Sequence, residues 1–389
     1  MIEKCSGKGR IRAKLRRMEM KRLRQLDGLR FIMFCVILLS HFEFLWNYPY
    51  GAFYRRFLYN STMGVDYFFL LSGFGIYYSS RDQVKMGTGG ISFAIRKIRK
   101  VYPLYVVSLL LSYPYAVMLM RTYRTDWLYP IVANLILLLL ALTLLQELSG
   151  MMVLSHAING VGWFLSTLFL SYMLCPWFRR ITERHSGSRR KTVGLWGGVI
   201  LLILLITVIT ERLDGTVVMP GLVLDDLSYG SPYVRCWYLL LGMAVAELYF
   251  ELTADGKGWY RHMALAAVLS AVLWFFIRGS LSILPFVLRR AVDLILVSFL
   301  LLSVSLDQSR ISNVLSCNRL QRLGKDSMYF YLLHFPIRNY VDFFFTEKGI
   351  YFGSITGMIE AAIITAASLL VSLLVKECFD QFNIYKRGF

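Results

Sequence analysis

Charge is scarce in this chain. Only 17% of its 389 residues are Asp, Glu, Lys or Arg, against about a quarter in an ordinary globular protein. Acid is scarcer than base, 24 residues against 43, for a formal charge of +19. Metal-type or redox-type cysteine spacing is absent. The six cysteines, Cys5, Cys35, Cys175, Cys236, Cys317 and Cys378, form no C-x-x-C pair, which leaves zinc and disulfide frameworks without support. No G-x-x-x-x-G-K-[ST] and no strand-placed G-x-G-x-x-G occurs, so neither standard nucleotide cradle is present. Internal repeats and a large soluble domain are missing too, and the first absence weighs against a transporter built from inverted repeats.

Apolar residues fill the space that charge leaves. They make up 57% of the chain, mean hydropathy is +0.53, and stretches such as 193–210, 263–277, 293–306 and 355–375 are nearly free of charge. A bilayer core about 30 Å thick takes about 20 such residues in a helix, so the chain reads as an all-α integral membrane protein. Spans are expected near 29–46, 62–79, 101–120, 161–178, 193–210, 233–250, 263–277, 286–306, 328–345 and 355–375. One further apolar run, 131–145, would throw the basic loop 179–191 to the outer side if it crossed completely. Ten spans, with 131–145 as a re-entrant or interfacial segment, put 31 of the 43 Lys and Arg inside and 7 outside, the asymmetry that positive-inside topology demands. The expected organisation is a basic cytoplasmic segment 1–26, one membrane domain 27–376 and a short cytoplasmic tail 377–389, in the plasma or inner membrane. The basic segment leads into an apolar run without a small-residue cleavage site, so it does not read as a cleaved leader. Basic residues arrive in clusters between apolar runs rather than on one folded face, so the charge marks loops and not a nucleic-acid surface.

An ionisable side chain within a span costs about 2.5–3.5 kcal/mol on insertion scales, which makes each one a functional candidate. The first span holds Asp27, Arg30, His41 and Glu43. Eleven residues at about 100° each amount to three turns plus about 20°, so Arg30 and His41 share a helix face, about 16 Å apart along the axis, with Asp27 about 40° to the side. The stripe reads either as interfacial anchors with a buried structural histidine, or as a site where histidine removes a proton while an anion is held nearby. Arg96, Lys97, Arg99 and Lys100 read as topology charge or as a phosphate-binding cluster. Asp66 is placed to pair with His41 or with another basic group, and Ser72-Gly73 suit close helix packing. His334 either lines the donor path near the cytoplasmic end of its span or is structural; His156, His185 and His262 are expected to be solvated. Arg235, Arg289, Arg290 and Asp293 read as snorkelling interface residues or as contacts to an outer acceptor. The loop 211–231 sets Asp214, Asp225 and Asp226 beside Tyr229 and Tyr233, a mixture compatible with carbohydrate.

The run Leu26-Asp27-Gly28-Leu29-Arg30, followed by ten residues and His41, resembles the opening signature of the acyltransferase family 3 membrane proteins, which acylate cell-surface carbohydrates. Four further segments match in order. Gly64-Val65-Asp66-Tyr67-Phe68-Phe69-Leu70-Leu71-Ser72-Gly73-Phe74 resembles the second-span motif, and Phe93 to Tyr105 the basic approach to the third span. Gly162-Trp163-Phe164-Leu165 with Tyr172 and Pro176 resembles the central Trp motif, and Leu323-Gly324-Lys325-Asp326-Ser327 through Tyr331-Leu332-Leu333-His334 the late motif. Two positions depart. Lys97 and Lys100 occupy the register of the family's Arg-x-x-Arg pair, with Arg96 and Arg99 one residue earlier, and lysine meets phosphate as a point charge without the bidentate fork. Leu168 stands where many members carry Glu.

The resemblance implies an O-acyltransferase that moves an acyl group, most simply acetyl, from cytoplasmic acyl-CoA to a hydroxyl of a surface polysaccharide or lipid-linked saccharide. Acyl-CoA is then a co-substrate, with no permanently bound cofactor, no metal and no nucleic acid, and membrane lipids surround the protein. His41 serves as general base or transient acyl carrier, with Arg30 and Asp27 beside it. Arg96, Lys97, Arg99 and Lys100 meet the donor, and Asp66, Ser72, Trp163 and His334 give support. The alternative is a transporter or flippase of a lipid-linked saccharide, and a third reading is a sugar polymerase.

Overall fold

The computed structural model describes residues 22–58, 62–81, 89–122, 126–219, 221–256, 258–281, 283–349 and 354–382. Most of the expected basic segment, 1–21, and the end of the expected tail, 383–389, lie outside the described residues.

Helices carry the architecture: α1 Arg24–Ser40, α2 Thr62–Ser80, α3 Gly90–Ile98, α4 Tyr102–Arg121, α5 Leu128–Leu142, α6 Trp163–His185 and α7 Arg189–Leu213. They continue as α8 Pro232–Ala254, α9 Ala264–Arg278, α10 Phe286–Leu306, α11 Asn318–Lys325, α12 Ser327–Glu347 and α13 Ser354–Gln381. Strands β1 Val217–Met219 and β2 Leu222–Val223 form a small antiparallel hairpin between α7 and α8. Among the described residues four helices, α4, α7, α8 and α13, are long and apolar enough to cross a membrane by length and composition, and each falls on an expected span. The run expected to be re-entrant or interfacial forms one of the shorter apolar helices among the described residues. Its fifteen residues, α5, reach about 22 Å, and the chain turns only afterwards, at Leu144, with φ +59°.

Burial sorts the helices by role. The apolar windows of α7 and α13 are only 28% and 22% buried, whereas that of α8 is 72% buried. Thus α8 forms the centre of the bundle, while α7 and α13 turn Leu201, Leu205, Leu370 and Leu374 outward, as a lipid-facing rim requires.

Glycine sets the closest crossings. A Cβ on Gly73 would collide with the Leu239 carbonyl and one on Gly242 with the Leu70 carbonyl, so α2 and α8 meet backbone to backbone. Gly28 abuts the Leu315 carbonyl and Gly324 the Asp27 carbonyl, which seats α11 and the short helix Arg310–Leu315 before it against the start of α1. The first and last sequence motifs, almost 300 residues apart along the chain, are therefore one packing interface.

Candidate functional site

His41 stands where α1 ends. Its backbone N–H still donates to the Leu38 carbonyl, and its ring meets α12, with Nδ1 3.0 Å from Nε2 of His334. His334 is fully buried, edge-on to Phe34 at 5.7 Å, and Phe335 packs edge-on against His41 at 5.6 Å. The backbone around His334 is pinned for a physical reason. Pro336 has no N–H, so the Leu332 carbonyl lacks its helical donor. The amide of Asn159 fills that gap at 3.1 Å and also reaches Ser108. Beyond His41, Arg338 pairs with Glu43 at 3.2 Å and bonds Asn339 at 3.0 Å.

Hydrogen-bond chemistry fixes which nitrogens of the pair carry protons. Nδ1 of His334 faces two carbonyl oxygens, Tyr331 at 2.7 Å and Phe330 at 3.1 Å, and a carbonyl can only accept. That nitrogen is therefore protonated, and in a neutral ring Nε2 is bare. Nε2 must then accept from His41 Nδ1–H, which leaves His41 Nε2 with an open lone pair. The arrangement parallels a carboxylate holding a catalytic imidazole in one tautomer, with a neutral imidazole in the carboxylate's place.

The opposite end of α1 is basic. Asp27, buried, pairs with Arg22 at 2.9 Å and with Arg30 at 3.7 Å. Between Arg30 and His41 the same face carries Phe34 and Ile37, both buried, and Phe34 packs on Phe330 at 5.8 Å. The stripe is thus polar at its two ends with an apolar wall between them. The four basic residues cluster around α3, whose Phe93, Ala94 and Ile98 are buried while Arg96, Lys97, Arg99 and Lys100 are exposed. Arg96 and Lys97 both lie over Phe93, at 5.9 and 5.5 Å. Phe93 in turn meets Tyr172 edge-on at 6.3 Å.

Asp66 is not beside His41. Both of its oxygens are taken by guanidinium groups, Arg235 on α8 and Arg290 on α10, the latter at 3.1 Å, and all three residues are fully buried. Arg235 and Arg290 are therefore not the snorkelling residues that sequence position suggests: a shared carboxylate draws them inward, helped by the Tyr238 ring at 4.9 and 5.7 Å. Asp293 is likewise interior, paired with Arg278 at 2.9 Å and with the Trp274 indole at 2.7 Å. Ser72 bonds the Phe68 carbonyl of its own helix at 2.8 Å, a packing arrangement. Trp163 opens α6 and contacts Tyr229 at 5.4 Å and the ring of His156 at 6.2 Å. His156, expected to be solvated, is about three-quarters covered, with 26% of its side chain exposed. The carboxylates of loop 211–231 largely serve the backbone. Asp214 accepts from Leu227 and Ser228, and Asp225 from Met152.

A family model for an acyltransferase domain matches residues 23–377. The chain belongs to acyltransferase family 3. A curated relative, an acyltransferase named MdmB from Streptomyces mycarofaciens, is 26% identical over 336 residues, covering 82% of this chain and 80% of that protein. No solved structure matches. The protein is accordingly a membrane enzyme that transfers acyl groups.

Two features of this acyltransferase escape sequence reasoning. His334 is recognisable as a buried histidine, but its contact with His41 lies 293 residues away and carries no local spacing signal. Glu147, fully buried near Asp226 and His156, stands just past an apolar run, where a carboxylate looks like a loop residue.

Proposed function

We propose that this acyltransferase moves an acyl group, most simply acetyl, from cytoplasmic acyl-CoA to a hydroxyl of a cell-surface carbohydrate, with His41 as general base. The observation that supports this reading best is the His334–His41 relay, which leaves an open lone pair on His41 Nε2. In the proposed step Nε2 takes the acceptor hydroxyl's proton as its oxygen attacks the thioester carbonyl. The C–S bond then breaks, and the leaving thiolate recovers the proton from His41. The Nδ1–H to His334 bond strengthens as His41 becomes cationic.

Both termini lie in the cytoplasm in this reading, within the plasma or inner membrane. The donor's phosphates meet Lys97 and Lys100 or their Arg96 and Arg99 neighbours at the basic end, and Arg30, tied to Asp27, steadies the donor where it enters. The pantetheine arm then follows the apolar wall for the roughly 16 Å between Arg30 and His41. Trp163 and the Glu43–Arg338 pair border the acceptor's approach, while Asp66 and Ser72 hold the surrounding helices.

Sidedness is the experiment. Radiolabelled acetyl-CoA is supplied to sealed inside-out vesicles, whose outer surface is the cytoplasmic face, with the saccharide acceptor enclosed. Label in the enclosed saccharide supports the reading. Label transferred only when donor and acceptor share one side would overturn it.

A further inference from the structure

We propose that Glu147, His156 and Asp226 form a binding site for one divalent cation of the zinc or manganese type, at the end of the bundle that carries His41. The three residues come from two segments that the fold ties together. Gly150 O accepts from the amides of Asp225 and Asp226 at 3.1 Å each, and Tyr233 donates to the Leu148 carbonyl at 3.0 Å. One ligand atom from each of the three lies within 4.8 Å of the other two.

The polar atoms are built inward and left open. Glu147 is fully buried, and neither of its carboxylate oxygens has a hydrogen-bond partner among the described residues. Asp226, 1% exposed, is aimed by its Oδ1, which accepts from the Gly230 amide at 2.9 Å, while its Oδ2 is buried and open. Nδ1 of His156 faces that oxygen at 3.9 Å and is bonded to the Ser155 hydroxyl at 2.8 Å. Buried polar atoms without partners call for an explanation such as an ion.

The donor set chooses the ion. One imidazole nitrogen with two carboxylates suits zinc or manganese, whereas calcium and magnesium take oxygen alone. Donors around one zinc stand about 3.3 Å apart for bonds of about 2.0 Å, so the three ligand atoms would draw together on binding. The ion would clamp segment 146–156 to the loop carrying Tyr229, and so brace Trp163 between Tyr229 and His156.

The test uses the full-length protein in detergent, stripped with chelator and titrated with zinc chloride or manganese chloride, with bound metal counted by mass spectrometry and Tm followed by tryptophan fluorescence. Wild type should retain one equivalent and melt higher, His41→Ala should do the same, and Glu147→Gln and His156→Ala should each bind more than about 10-fold more weakly. His156→Ala, at a partly exposed side chain, keeps the comparison valid if Glu147→Gln fails to fold. No retained metal overturns the proposal, as does equal uptake by His156→Ala and wild type. A rise in Tm for Glu147→Gln without zinc uptake by wild type also overturns it, in favour of a proton shared by the two carboxyl groups.

Discussion

Replacing His334 by alanine removes the acceptor of the His41 Nδ1–H bond, now 3.0 Å long, while leaving His41 in place. The bond matters most when His41 is cationic, and a hydrogen bond to a charged group contributes about 1.5–3 kcal/mol. At 1.36 kcal/mol per factor of ten, kcat should fall about 10- to 150-fold. KM for the donor should hold, because His334 is at the far end of the stripe from the basic helix. Glutamine offers a carbonyl oxygen that can accept from Nδ1–H, so His334→Gln should recover part of the loss. Steady-state acyl transfer at varied acyl-CoA, with purified protein and a soluble saccharide acceptor, reads both quantities. His334→Ala within twofold of wild-type kcat would refute the relay. Equal losses in the alanine and glutamine variants, with KM raised, would make His334 a packing residue only.

Three further outcomes follow from the same structure. Changing Lys97 and Lys100 together to alanine should raise donor KM with kcat preserved, and the wild-type KM should climb with salt; an unchanged KM transfers the donor contact to Arg96 and Arg99. Asp66→Asn leaves Arg235 and Arg290, both fully buried, without their shared counter-charge, and breaking such a cluster costs about 3–5 kcal/mol. A Tm in detergent equal to wild type would contradict that assignment. Gly73→Ala drives a methyl into the Leu239 carbonyl and should lower stability by about 1–3 kcal/mol, with Tm the readout and no change the contrary result.

What could be read from the sequence was what repeats along one helix. Asp27 and Arg30 lie in α1 and His41 caps its end, and the 3.6-residue period alone places them in order along a stripe. The same arithmetic says nothing about which helix faces that stripe, so the partner of His41 stayed hidden on α12. Asp66 shows the converse. A lone intramembrane acid invites pairing with the nearest interesting base, but two arginines on α8 and α10 reach it first. Arg290 looks like an interface residue only while its partner is unknown, since a guanidinium that finds a buried carboxylate has no need to snorkel. The 131–145 run was legible only in part. Loop-charge parity argues about whether a segment crosses and says nothing about its shape, and an uninterrupted apolar sequence with no Gly or internal break folds as a plain helix.

The central claim is that His41 Nε2 removes the acceptor's proton. It is tested most directly by comparing acyl transfer from radiolabelled acetyl-CoA to surface polysaccharide in membranes holding equal amounts of inserted wild type or His41→Ala. A general base supplies about 10²- to 10⁴-fold in rate, so the account predicts label with wild type and a signal reduced by at least about 100-fold in the variant. Transfer by His41→Ala at the wild-type rate would contradict it.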